Sequence, residues 1–250
     1  MGVTRGLPRT LNDLQDVAIS NKKSLPLVLR RLFKNPKNLD FETAMWEMIN
    51  LIFHPRKAFR SFYYQRQTKN RWARDDPSFF ILQILLLTAT SIVWSIFYGH
   101  SFMGGLKMMI NMIIVDFFLF GFTVATIFWA ILNRNFFKFK SSRNMKVEWA
   151  YCFDIHCDSF LIVWVLLYFL QFILLPVINL HKWIGLFIGN TLYAISFCHY
   201  FILSFYGYSQ LPFLKNIDFI LLPSLVGIVI YLISLFGLNL AKTFSFDNFR

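Results

Sequence analysis

Glu148, Cys152 and His156 stand four residues apart, so a helix would carry all three along one stripe. A carboxylate, a thiol and an imidazole on one face could hold zinc. The spacing fits no Cys-x-x-Cys finger, however, and no second ligand pair is evident. The plainer reading makes 148–158 a polar and aromatic cluster that holds a loop against the bundle at the membrane interface. A third reading makes it a docking surface for a cytosolic partner. His156 with Asp154 and Asp158 is also the best candidate for acid–base chemistry in a membrane lipid-modifying enzyme. A His between two Asp is nonetheless common where a solvated helix begins. No Gly-x-Ser-x-Gly, His-Glu-x-x-His, phosphate-loop or dinucleotide fingerprint is present. The expectation is a protein without catalysis, metal or cofactor.

Asp116 is the second candidate. It falls inside a long apolar stretch, where an ionisable group is costly and needs a partner or a function. Depth along the helices, at 1.5 Å per residue, pairs it with Tyr193 and Asn190 of the fourth span, with Asn111 as a nearby polar contact. Helix–helix packing specificity is the plain reading. A small proton-coupled transporter or channel using Asp116 is the functional one. Third, residues 56–74 interleave Arg56, Lys57, Arg60, Arg66, Lys69, Arg71 and Arg74 with Phe59, Phe62, Tyr63, Tyr64 and Trp72. The mixture suits anionic lipid of the cytosolic leaflet or a protein partner. RNA is the alternative, without any accompanying nucleic-acid motif.

The elements that must position these residues are membrane helices. Of 250 residues, 56% are hydrophobic and 15% charged, with 31 Phe, against about 45–50% and about 25% in an average soluble domain. Five apolar stretches, approximately 79–99, 106–132, 160–180, 183–206 and 217–240, are long enough to cross roughly 30 Å of hydrocarbon. The fold class is therefore an all-α membrane protein with five transmembrane helices. Residues 1–39 read as a basic, disordered cytosolic tail, and 40–78 as an amphipathic, basic cytosolic region. That region contains an interfacial helix over 41–54, with Asp40 as its cap and Pro55 after its end. Residues 241–250 read as a lumenal tail. With the N-terminus cytosolic, one side of the membrane carries 21 of the 25 Lys+Arg and the other 4, so the positive-inside rule selects that orientation. Only His181 and Lys182 separate spans three and four, which makes those helices antiparallel neighbours.

Several stretches resemble one family: Phe41-Glu42 with Trp46, then 67–77, 147–156, 188–193 and 207–216, in that order. Together they are similar to the Unc-fifty family of eukaryotic Golgi membrane proteins, over about residues 40 to 240. The resemblance implies five spans with a cytosolic N-terminus, in Golgi or early secretory membranes, extending to the nuclear inner membrane. It implies links to large Arf guanine-nucleotide exchange factors and to transport of assembled receptors to the cell surface, with RNA binding in some animal members. No catalytic residues come with it. Asp158 departs from the family's Asn, and the family's Pro early in span three is absent. The reading is a non-enzymatic trafficking factor. Its expected docking residues are Arg66, Lys69, Arg71, Trp72 and Arg74, with Glu148, Trp149, Asp154 and His156 beside them.

Overall fold

Pro55 cannot extend the helix before it, and it opens the next one. The chain therefore begins with two short helices, α1 (Phe41–Phe53) and α2 (Pro55–Gln67). The computed structural model describes residues 39–67, 72–74, 76–142, 144–179 and 183–243, without the side chains of 65–67 and 242. Asp40 caps α1: its carboxylate accepts from the Thr43 backbone N–H at 2.9 Å and the Thr43 hydroxyl at 2.6 Å. The Asp40 N–H donates to Asp76 at 3.1 Å, and Asp76 also accepts from the Ser78 hydroxyl at 2.7 Å. The start of α1 is thus tied to the start of the first long helix.

Five helices are long and apolar enough to cross a membrane: α3 (Ser78–Tyr98), α4 (Phe102–Leu132), α5 (Trp149–Ile178), α6 (Trp183–Tyr208) and α7 (Ile217–Ser234). No strand occurs among the described residues. Gly99, with φ of 63°, ends α3 in the left-handed conformation, and Ser101 caps α4 by accepting from the Gly104 N–H at 3.2 Å. That cap starts the second span at Phe102 rather than 106. Helices α5 and α6 are antiparallel neighbours, joined by Tyr151 to Gly207, His156 to Tyr200 and Ser159 to Ser204.

Helix α5 is the centre of the molecule. All twelve residues from Tyr151 to Ile162 are buried, because α1, α3, α4 and α6 surround this half of the helix. The expected start at 160 is corrected to Trp149. Asp154, His156 and Asp158 read as solvated residues, yet each is accommodated inside the bundle. Helix α7 lies at the periphery, packed mainly on α6, and presents Leu225, Val226, Val229, Leu232 and Ile233 outward.

One end of the bundle carries α1, α2 and the loops 133–148 and 209–216. Lys138 and Leu214 form an antiparallel bridge between those loops, with the Lys215 N–H donating to the Phe137 carbonyl at 2.9 Å. Asn133 clasps the first loop, donating to the Trp129 and Val147 carbonyls and accepting from the Val147 N–H and the Lys138 ammonium. At the other end α7 stops at Ser234 instead of 240. The chain turns through Gly237, with φ of 133°, into a short helix α8 (Leu240–Thr243) that docks on α6. Residues 241–243 therefore belong to the fold and not to a tail. The expected N-terminal tail, apart from residue 39, and residues 244–250 lie outside the described residues.

Candidate functional site

Three polar clusters organise the apolar bundle. The first centres on Arg74, in the linker between α2 and α3. Its Nη1 lies 2.7 Å from an Asp158 oxygen and its Nη2 3.1 Å from Glu47. Its backbone N–H donates to Asp154 at 2.6 Å. The guanidinium also lies over the rings of Phe79 and Phe62, at 4.3 and 5.0 Å from their centroids. One residue thereby fastens α1 (Glu47), α2 (Phe62), α3 (Phe79) and α5 (Asp158, and Asp154 through the backbone). Burial opposes the charge on Arg74, but Asp158, Glu47 and Asp154 more than offset it and raise its pKa above the ordinary arginine value. A buried ion pair of this kind holds geometry, and breaking it leaves a buried charge exposed to a low-dielectric medium.

The second cluster surrounds His156, which is 1% exposed. Its Nε2 meets the Phe117 carbonyl at 3.1 Å and its Nδ1 meets the Tyr200 hydroxyl at 2.7 Å. A carbonyl only accepts, so Nε2 carries the hydrogen and Nδ1 accepts from Tyr200, an assignment made from the network. The Phe117 carbonyl lies in the stretch Asn111–Leu119 of α4, which forms a π-helix, and it accepts from the Phe120 N–H as well. Helix α5 repeats the device in Trp164–Leu170, where the Tyr168 carbonyl accepts from the Trp94 indole at 2.9 Å. Gly121 permits the approach, since a Cβ there would stand 2.5 Å from the His156 ring. Both imidazole nitrogens are engaged in hydrogen bonds. Cys152 is free and buried nearby on α5.

The third cluster is at mid-bundle. Asp116 accepts from the Tyr168 hydroxyl at 2.8 Å. Its hydrogen-bond partner is therefore on span three, not span four as depth alone suggested. Tyr193 of span four is close enough to feel the Asp116 charge, but it hydrogen-bonds the Gln171 side chain. Asn190 serves another purpose: its amide donates to the Ser234 hydroxyl at 2.9 Å and the Leu238 carbonyl at 2.7 Å, and its oxygen accepts from the Leu240 N–H at 2.9 Å. It pins the C-terminal turn to α6. No hydrogen bond among the described residues joins Asn111 to Asp116; Asn111 opens the π-helix.

The expected docking residues divide accordingly. Lys69 and Arg71 lie outside the described residues; Arg66 lies at the end of α2, with its side chain outside them. Trp72 is half-buried among Tyr63, Tyr151 and Phe213, with ring centroids 6.2, 6.5 and 6.4 Å away. Glu148 precedes α5, and its carbonyl accepts from the Tyr151 and Cys152 N–H groups. Trp149 stacks on Phe153 and Phe122 and donates to the Thr126 hydroxyl at 3.1 Å. Arg74 and Asp154 are brought together inside the fold rather than at a surface, and His156 is buried in a separate cluster. Sequence reasoning did not select Glu47, Tyr168, Gln171 or Tyr200. A carboxylate on the buried face of α1 was the one available signal for Glu47.

Long apolar helices crossed by internal polar fastenings define a polytopic helical membrane protein, built around one central span. Comparison with known proteins narrows the class. The chain belongs to the UNC-50 family, whose family model matches residues 28–249. It is 63% identical over 239 residues to Protein GMH1 of Saccharomyces cerevisiae, covering 91% of this chain and 88% of that one. It is 40% identical over 208 residues to Protein GMH1 homolog of Schizosaccharomyces pombe, covering 82% and 88%. Against Protein unc-50 homolog of Homo sapiens the identity is 38% over 221 residues, covering 88% and 83%. No solved structure matches the chain.

Proposed function

We propose that this protein is a non-enzymatic Golgi membrane factor that supports vesicular trafficking by docking an Arf guanine-nucleotide exchange factor and aiding receptor transport to the cell surface. The observation that carries the docking is the character of the α1–α2 end. Arg56, Lys57 and Arg60 of α2 are exposed there, as are Lys140 and Lys146. Tyr64, Phe136 and Phe139 of the same end are exposed large aromatics. Arginine and aromatic groups are what protein interfaces favour. The excess of cations supports a cytosolic position for this end. The outward stripe of α1, Phe41, Met45, Trp46, Ile49 and Phe53, lies in the boundary of an anionic leaflet and holds the docking face close to lipid. Family membership and the absence of enzyme names among the relatives above support the non-catalytic reading.

Arg66, Lys69 and Arg71 contact the partner, together with the exposed cations of α2. Trp72, Arg74 and Asp154 instead fasten the linker residues 72–74 to α1 and α5, and His156 ties α5 to α4 and α6 inside the bundle. The test is recruitment of the exchange factor to proteoliposomes bearing the full chain. Charge reversal of Arg66, Lys69 and Arg71, or of Arg56, Lys57 and Arg60, should reduce recruitment while Arg74 stays intact. Recruitment unchanged by both sets would refute the docking face.

A further inference from the structure

The Asp116 cluster leaves two side-chain oxygens without a donor among the described residues. Asp116 is half-buried, and among the described residues its one hydrogen-bond donor is the Tyr168 hydroxyl, which leaves Oδ1 unmatched. Gln171, one turn further along α5, is 2% exposed, and its Oε1 has no partner among the described residues. Tyr193 joins the two, hydrogen-bonded to Gln171 and within reach of the Asp116 charge. The cluster is rigidly held. The Trp94 indole grips the Tyr168 carbonyl, and Trp164 donates to the Thr90 hydroxyl at 3.0 Å. Two π-helices, Asn111–Leu119 and Trp164–Leu170, meet here, and such turns recur at functional sites.

Depth and chemistry restrict what completes the site. Asp116 lies about 21 Å along α4 from Phe102 and about 24 Å from Leu132, close to the middle of the helix. Phospholipid polar groups lie about 15 Å away from mid-bilayer. A second copy of this chain would present the same acceptors, Asp116 and Gln171, to each other. Beside Asp116, Ile114, Val115 and Leu119 are exposed apolar residues, so the carboxylate borders a lipid-facing surface. A transmembrane helix from another protein can bring a donor to this depth.

We propose that the Asp116–Tyr168–Gln171–Tyr193 cluster is an intramembrane recognition site for a partner's transmembrane helix carrying a hydrogen-bond donor or a cation at mid-bilayer. It rests on the trafficking reading only in making that partner a transported membrane protein. The acceptor set selects Asn, Gln, Lys or Arg at the centre of the partner helix and rejects a purely apolar one.

The experiment places the full chain in proteoliposomes with four single-span peptides on one Leu/Ala host. One peptide has no polar residue, one a central Asn, one a central Lys, and one an Asn moved seven residues from the centre, about 10 Å. Association is read by energy transfer. The central Asn and Lys peptides should bind, and the apolar and displaced ones should bind about 3- to 30-fold more weakly. Asp116→Leu should abolish the difference. Asp116→Asn, nearly isosteric, guards against misfolding: it should keep binding of the Asn peptide and weaken that of the Lys peptide. Equal association of all four peptides, or selectivity untouched by both Asp116 variants, would overturn the proposal. Exchange-factor recruitment is measured on the same vesicles. Selectivity lost with recruitment intact removes this site alone, whereas selectivity intact with recruitment lost supports the site and removes the docking face.

Discussion

Replacing Arg74 with methionine should release α1 and α2 from the five long helices. The guanidinium has carboxylate oxygens at 2.7 and 3.1 Å, and Asp158 is fully buried. Two unit charges 4 Å apart attract by about 4 kcal/mol at an effective dielectric of 20, and these pairs are closer. Desolvation of the ions cancels much of that gain while the pair exists. Once the arginine is gone, the carboxylates keep their desolvation cost without their counter-charge. Breaking a buried pair from one side costs about 3–5 kcal/mol. At about 1.4 kcal/mol per factor of ten, this predicts a fall of roughly two to more than three orders of magnitude in the protection of α1 amides. Hydrogen exchange of the full chain in nanodiscs reads that number directly, with α6 amides as the internal reference. Arg74→Lys keeps the charge but cannot reach two carboxylates in the planar fork, so it should fall between wild type and Arg74→Met. Unchanged α1 protection in Arg74→Met would refute the argument that this residue is the fastening.

Four further outcomes are expected. Gly121→Ala should lower thermal stability in detergent by about 1–3 kcal/mol, because the new methyl meets a His156 ring that two hydrogen bonds prevent from moving; the alanine helix preference, up to about 1 kcal/mol, does not reverse this. Asn190→Ala should unpin the C-terminal turn, leaving the Leu238 carbonyl and Leu240 N–H without their partner, and limited proteolysis should cleave within 235–243 faster than in wild type. The Thr43 hydroxyl and then its backbone N–H hold the Asp40 carboxyl below its ordinary value, so the capping contribution is present above about pH 3.9 and is lost as pH falls through the depressed value. Amide exchange in the first turn of α1 should rise there, and Asp40→Ala should show no such step. Burial and then the neighbouring Lys146 lower the pKa of Lys138, so its contribution to folding improves as pH rises through that lowered value; Lys146→Gln should raise the Lys138 pKa in a titration of isotope-labelled methyl-lysine.

The composition by itself determined that the chain forms five apolar helices, because lipid satisfies no backbone group and a helix is what remains. The cap at Asp40, the break at Pro55 and the asymmetry of Lys and Arg were equally legible, being local or additive properties. The start of α5 was not. Asp154, His156 and Asp158 are polar by type, and nothing local to 148–158 announces that Glu47 and Arg74 from one side, and Phe117 and Tyr200 from the other, bury and satisfy them. The partner of Asp116 was misplaced for a related reason. Rise along an axis gives depth, but the direction a side chain faces depends on the residues per turn. The π-helices of α4 and α5 alter that number at this level and bring Tyr168 to Asp116. Likewise Asn190 could not be seen as the pin of the C-terminal turn while α7 was read as running to 240. Sequence fixes what a residue needs, a donor, a counter-charge or lipid. The packing of distant helices decides which neighbour supplies it.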